Sequence, residues 1–140
     1  MSLQRLETLA PSHLEDLLRL YRGEWWSRDR TAEEVRRMLE GTDEIIAFAS
    51  DDRLAAFARV ITDYVYKALV FDVIVDPVHR GTGAGRLLVD ALLSHPRLRS
   101  VEHLELYCRP EHVAFYEQWG FTSDLGALHF MRRARTRCGE

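Results

Sequence analysis

The chain has 140 residues, 46% hydrophobic and 29% charged, a balance that suits one domain with its own core and excludes disordered, collagen-like and disulfide-scaffold classes. With 19 basic and 22 acidic side chains the formal net charge is −3, and Lys67 is the single lysine among the basic residues. A Walker A site needs a Gly-Lys-Ser/Thr step, so a lysine-based phosphate loop is excluded as well.

Residues 3–9 alternate as a first strand, and Ser12 with Glu15 reads as a capping box opening a helix that carries Leu14, Leu17, Leu18 and Tyr21. Thr31 with Glu34 opens a second helix, which Gly41 ends. Residues 45–49 and 54–61 are apolar strands joined by the turn cluster Ser50-Asp51-Asp52-Arg53, hence a hairpin. Residues 68–75 are nearly continuously apolar, as in a central strand covered on both faces, with Asp72 interrupting. Pro77 stops that strand, and Leu87, Leu88, Ala91 and Leu92 mark a helix that ends before Pro96. A strand over 101–108, a short helix over 112–119 closed by Gly120, and a last strand over 128–131 complete the order β-α-α-β-β-β-α-β-α-β. The expected fold class is α/β (α+β), a mixed sheet with helices on its faces, in one domain over residues 1–134 followed by a basic tail, 135–140.

Between the fourth strand and its helix runs Asp76-Pro77-Val78-His79-Arg80-Gly81-Thr82-Gly83-Ala84-Gly85-Arg86. Glycines let a backbone approach a ligand closely, and the first amides of a helix, at the positive end of its dipole, suit a pyrophosphate. Arg80 and Arg86 add fixed positive charge. The dinucleotide fingerprint fails on spacing, because its third glycine position falls on Arg86 or Leu88.

Residues 80–85 resemble the R/Q-x-x-G-x-G/A signature of the GNAT superfamily of acyl-CoA-dependent N-acyltransferases. Phe115-Tyr116-Glu117-Gln118-Trp119-Gly120-Phe121 is similar to that family's motif on its last helix, and the element order extends the likeness over nearly the whole chain. The resemblance implies a mostly antiparallel sheet and transfer of acetyl from acetyl-CoA to a small-molecule amine by direct attack. It places the pyrophosphate on Arg80, Gly81, Thr82, Gly83, Ala84, Gly85 and Arg86, and the pantetheine arm on the main chain of Val73 and Val75. Tyr116 matches the tyrosine that protonates the departing thiolate. Asp72 is the candidate base for the amine, with Asp63, Glu24 and Glu105 as rivals and an ordered water as a further route.

On the acceptor side the resemblance points to Trp25, Trp26, Arg28, Arg30 and residues 59–66, including Asp63. Paired tryptophans can stack on a cationic amine. No asparagine precedes the last helix, where the family commonly has one; the stretch reads Tyr107-Cys108-Arg109-Pro110-Glu111-His112. A non-catalytic acyl-CoA sensor is the alternative reading. The six histidines show no ligand spacing, so no metal is expected. Nor is a nucleic-acid partner, a terminal arginine run usually being solvated. The opening residues lack a signal-peptide pattern and no stretch approaches the ~20 apolar residues of a membrane span, so a cytoplasmic protein with no membrane partner is expected. Homodimerisation, frequent in the family through exposed strands, stays open.

Overall fold

The structure is a computed structural model describing residues 2–135. Its elements are β1 (Gln4–Leu6), α1 (Pro11–Arg22), α2 (Ala32–Glu40), β2 (Glu44–Ser50), β3 (Arg53–Thr62), β4 (Lys67–Val75), a 3-10 turn (Pro77–His79), α3 (Ala84–Ser94), β5 (His103–Glu105) and α4 (Pro110–Glu117). They fall into two compact units, one ending at Leu106 and one beginning at Tyr107. The basic-tail residue Arg137 lies outside the described residues, as do 136 and 138–140.

In the first unit, five strands form one sheet in the order β1-β2-β3-β4-β5, antiparallel throughout except for the β4–β5 pair. Alternation along β2 and β3 sends Ile46, Phe48, Ala58 and Val60 toward α3, where Leu88 and Leu92 meet them. It sends Ala47 and Phe57 toward Leu17 and Tyr21 of α1 and Val35 of α2. The sheet is therefore buried between two helical layers, and each fully buried large side chain contributes about 1.5–3 kcal/mol.

The sequence-derived boundaries hold for α2, whose Thr31 hydroxyl accepts from the Glu34 amide while the Glu34 carboxylate accepts from the Thr31 amide. For α1 they move. Pro11 takes the first helical position, as its fixed φ favours, so Ala10 is the N-cap and Ser12 falls inside the helix. The Ala10 amide donates to His13 Nδ1 instead of entering a Ser12–Glu15 box. β4 is less covered than its composition suggests, Lys67 and Leu69 being exposed, because the α1–α2 layer takes up Ile74 at the other end of the strand.

Expected strand 101–108 shortens to His103–Glu105, paired only with Lys67–Leu69 of β4. Beyond Leu69, β4 has no strand hydrogen-bonded on its β5 side among the described residues. The following helix begins at Pro110 and ends at Glu117, two residues ahead of expectation, since proline again occupies the first turn. Residues 128–131 form no strand; Leu128, Phe130 and Met131 are exposed, and no ladder partner for their backbone occurs among the described residues.

Candidate functional site

The end of β4 is shaped by a bulge. Phe57 pairs with Ile74 and Arg59 with Phe71, so Asp72 and Val73 together oppose Ala58. Asp72 takes φ +56°, a left-handed conformation that aspartate tolerates better than most side chains. The extra residue turns Asp72 to the α1 face, whereas Val73 and Val75 pack against the core on the α3 side.

Three donors converge on Asp72 Oδ2: Arg30 Nη1 at 2.7 Å, Arg59 Nε at 2.7 Å and the Tyr21 hydroxyl at 2.9 Å. Arg30 Nη2 reaches Oδ1 at 3.4 Å. The carboxylate is 7% exposed. Burial alone would raise its pKa, but the hydrogen bonds and charges of Arg30 and Arg59 outweigh that and hold it below the usual carboxylate range. Burial, followed by the Asp72 charge, pushes the Tyr21 phenol far up, so Tyr21 is a fixed donor. Arg59 also lies over the Phe71 ring, 4.9 Å from its centroid.

The strand then leads into the glycine loop through Asp76, which is 2% exposed. Its carboxylate accepts from the Val78 amide at 3.2 Å and is paired with Arg53 at 3.2 Å and Arg19 at 3.2 Å, while its own amide donates to Ala55 O. These bonds fix the direction in which the loop leaves the sheet. Gly81 has φ +79° and Gly83 φ +92°, and a Cβ at either would meet nothing within 4 Å, so backbone conformation, not crowding, requires glycine. Thr82 closes the turn by donating from its hydroxyl to His79 O. Gly83 is the N-cap of α3, and the amides of the first helical turn lie at the open end of the loop. Arg80 holds Glu24 of the α1–α2 segment at 3.0 Å, so the carboxylate considered as a rival base is committed to a glycine-loop arginine.

The α1–α2 segment carries Trp25, 63% exposed, and Trp26. The Arg30 guanidinium lies 4.6 Å from the Tyr21 ring centroid and 5.4 Å from that of Trp26. Asp63 is elsewhere, in the β3–β4 hairpin at the end of β4 away from the glycine loop. Its Oδ1 accepts from the amides of Val65, Tyr66 and Lys67, and these bonds lower its pKa. Glu105 pairs with Lys67 at 2.9 Å.

In the second unit, the Tyr116 ring packs edge-on against Phe115 and Phe121, at 5.1 and 5.9 Å between centroids. Burial, with a smaller contribution from Cys108, pushes its phenol up to about 12. Burial and the Glu111 charge also raise the Cys108 thiol, which disfavours the thiolate that covalent acyl transfer would need. Arg132 lies over the rings of Tyr107 and Phe130. No group of three or more metal-binding side chains occurs among the described residues, and no described helix is long and apolar enough to cross a membrane.

Sequence reasoning singled out Asp72, Arg30 and the glycine loop but missed Tyr21 and Asp76. Tyr21 sits at an apolar position of α1 and reads as core, and its hydroxyl finds a partner 51 positions away. Asp76 reads as loop preceding a proline, yet a carboxylate two residues ahead of a turn amide is a recognisable Asx signal.

The acetyltransferase (GNAT) family model matches residues 12–121, and the chain belongs to that family. A relative from Oryza sativa subsp. japonica, named serotonin N-acetyltransferase 2, chloroplastic, is 38% identical over 77% of this chain and 56% of its own length. GCN5-related N-acetyltransferase 1, chloroplastic, of Arabidopsis thaliana is 28% identical over 77% and 57%. The chain thus spans little more than half the length of these curated relatives. A solved structure from Xanthomonas campestris, described as belonging to the GNAT family, superposes with TM-score 0.81 at 30% identity, covering 96% of this chain and 94% of that one. The PaiA N-acetyltransferase of Thermoplasma acidophilum, solved in complex with coenzyme A, shares the fold, with TM-score 0.70 at 19% identity over 87% and 91%.

Proposed function

We propose that this protein transfers an acetyl group from acetyl-CoA to a small primary amine. The observation that carries the reading is the glycine loop: two left-handed glycines between a buried, tethered Asp76 and the N-terminus of α3, with Arg80 beside them. Such a loop offers main-chain donors and one permanent charge to a diphosphate. Val73 and Val75 lie on the length of β4 that, beyond Leu69, has no strand on its β5 side among the described residues, which suits main-chain bonding to the pantetheine arm.

In this reading the amine nitrogen forms a bond to the thioester carbonyl carbon, and the carbon–sulfur bond breaks. The sulfur takes the Tyr116 phenolic proton, the nitrogen sheds a proton to water as the amide forms, and water returns a proton to the Tyr116 phenolate. A phenol near 12 stays protonated at neutral pH, so the proton is in place when the carbon–sulfur bond breaks. Asp72 was the expected base, but its saturated Oδ2 and lowered pKa support a different task, that of holding Arg30 and Arg59 at the β4 bulge. The curated relatives named as N-acetyltransferases support the reaction class, and the rice relative's name adds an arylalkylamine to the acceptors worth trying. The test is thermal denaturation with CoA, followed by thiol release from acetyl-CoA across an amine panel. Stabilisation together with amine-dependent thiol release is expected. Stabilisation without release from any amine would instead indicate the acyl-CoA sensor.

A further inference from the structure

Arg80 immediately precedes the left-handed Gly81, where a diphosphate held on the loop amides would meet a cation, yet its Nη2 donates to Glu24 Oε1 at 3.0 Å. The backbones on both sides of this pair are tied down. The Arg80 amide donates to Pro77 O at 3.3 Å, while the Glu24 amide donates to Tyr21 O and the Glu24 carbonyl accepts from the Ser27 amide, both at 3.2 Å. Ser27 is 2% exposed, and its hydroxyl closes the same turn by donating to Tyr21 O at 2.8 Å. The two residues can therefore change partners only by turning their side chains, and the arginine, 57% exposed, has room to do so. An ion pair so placed contributes little, whereas a diphosphate carries more charge than one carboxylate and can take the guanidinium fork edge-on. Once displaced, the carboxylate is repelled by the incoming anion and turns to solvent, where salt screens it.

We propose that Glu24 sets the affinity of the donor site: its carboxylate competes with the CoA diphosphate for Arg80, so that donor and departing CoA are held less tightly than the loop alone would hold them. Binding exchanges the Arg80–Glu24 pair for an Arg80–diphosphate pair, and release reverses it. Such a competitor favours turnover, because CoA must leave after every transfer and product release limits many enzymes. The inference rests on the acetyltransferase reading and adds the regulation of its diphosphate site.

The test uses the full chain and CoA as the probe, with Kd read by isothermal titration calorimetry. Glu24→Gln lowers Kd about fivefold, within the range of an exposed ion pair. Glu24→Asp, which keeps the charge but is one methylene too short to hold Arg80, lowers it at least twofold; a long-range charge effect would leave it at the wild-type value. Arg80→Gln raises Kd about tenfold, and in that background Glu24→Gln changes Kd by less than twofold, since no guanidinium remains to compete for. Should Glu24→Gln fail to fold, Glu24→Asp carries the same cycle with Arg80→Gln. A rise in Kd in both Glu24 variants would make the carboxylate a support for Arg80 and overturn the proposal, as would Glu24 variants at the wild-type Kd or an undiminished Glu24→Gln effect without Arg80. No CoA binding by the wild type would remove the acetyltransferase reading and the proposal together, whereas these other outcomes overturn the proposal alone.

Discussion

Asp72 shows how far a side chain's role depends on its neighbours. A lone carboxylate beside a reacting amine is a candidate base; one whose Oδ2 accepts three donors, two of them cationic, is an anchor. Its pKa is lowered by folding, so its contribution to stability is fully present above the unfolded value of about 3.9 and is lost as pH falls through the lower folded value. Asp72→Asn is expected to cost about 2–3 kcal/mol at pH 7, below the ~3–5 kcal/mol of a fully buried pair because Arg30 keeps some solvent access. In urea melts the gap between variant and wild type narrows below pH ~4. Tyr116→Phe tests the other proton: turnover falls about 10²-fold with the CoA thermal shift retained. With the phenol near 12, the wild-type rate shows no loss from Tyr116 ionisation up to pH 10.

Among elements, the β4 bulge and the glycine loop shape the candidate site, and they differ in legibility. The loop was readable because a left-handed backbone leaves a residue-type signature, glycine at 81 and 83. Gly83→Ala is expected to destabilise the protein by about 1 kcal/mol through its positive φ, and to reduce the CoA thermal shift as the amides of α3 are displaced. The bulge left no comparable mark, since aspartate adopts φ +56° without glycine and the register shift is a property of the β3–β4 pairing. The element boundaries that moved, at α1 and α4, did so because proline at the first helical position overrode other capping signals.

For the whole chain, ligand binding couples to folding by mass action. CoA at about 100 times its dissociation constant adds about 2.7 kcal/mol, which for a chain of this size raises Tm by roughly 10 °C. Differential scanning fluorimetry reads this directly, and a flat titration would remove the donor site. By itself, the sequence determined the family, the element order up to α4 and the position of the glycine loop, because periodicity, glycine placement and short motifs are local properties of a chain. Only the tertiary structure decided that Asp72 meets Arg30, Arg59 and Tyr21, that Glu24 is held by Arg80, and that Asp63 serves the β3–β4 hairpin. The Asp72 and Glu24 partners lie between 13 and 56 positions away in sequence, and a carboxylate's acidity and task follow from charges that pairing and packing bring to it.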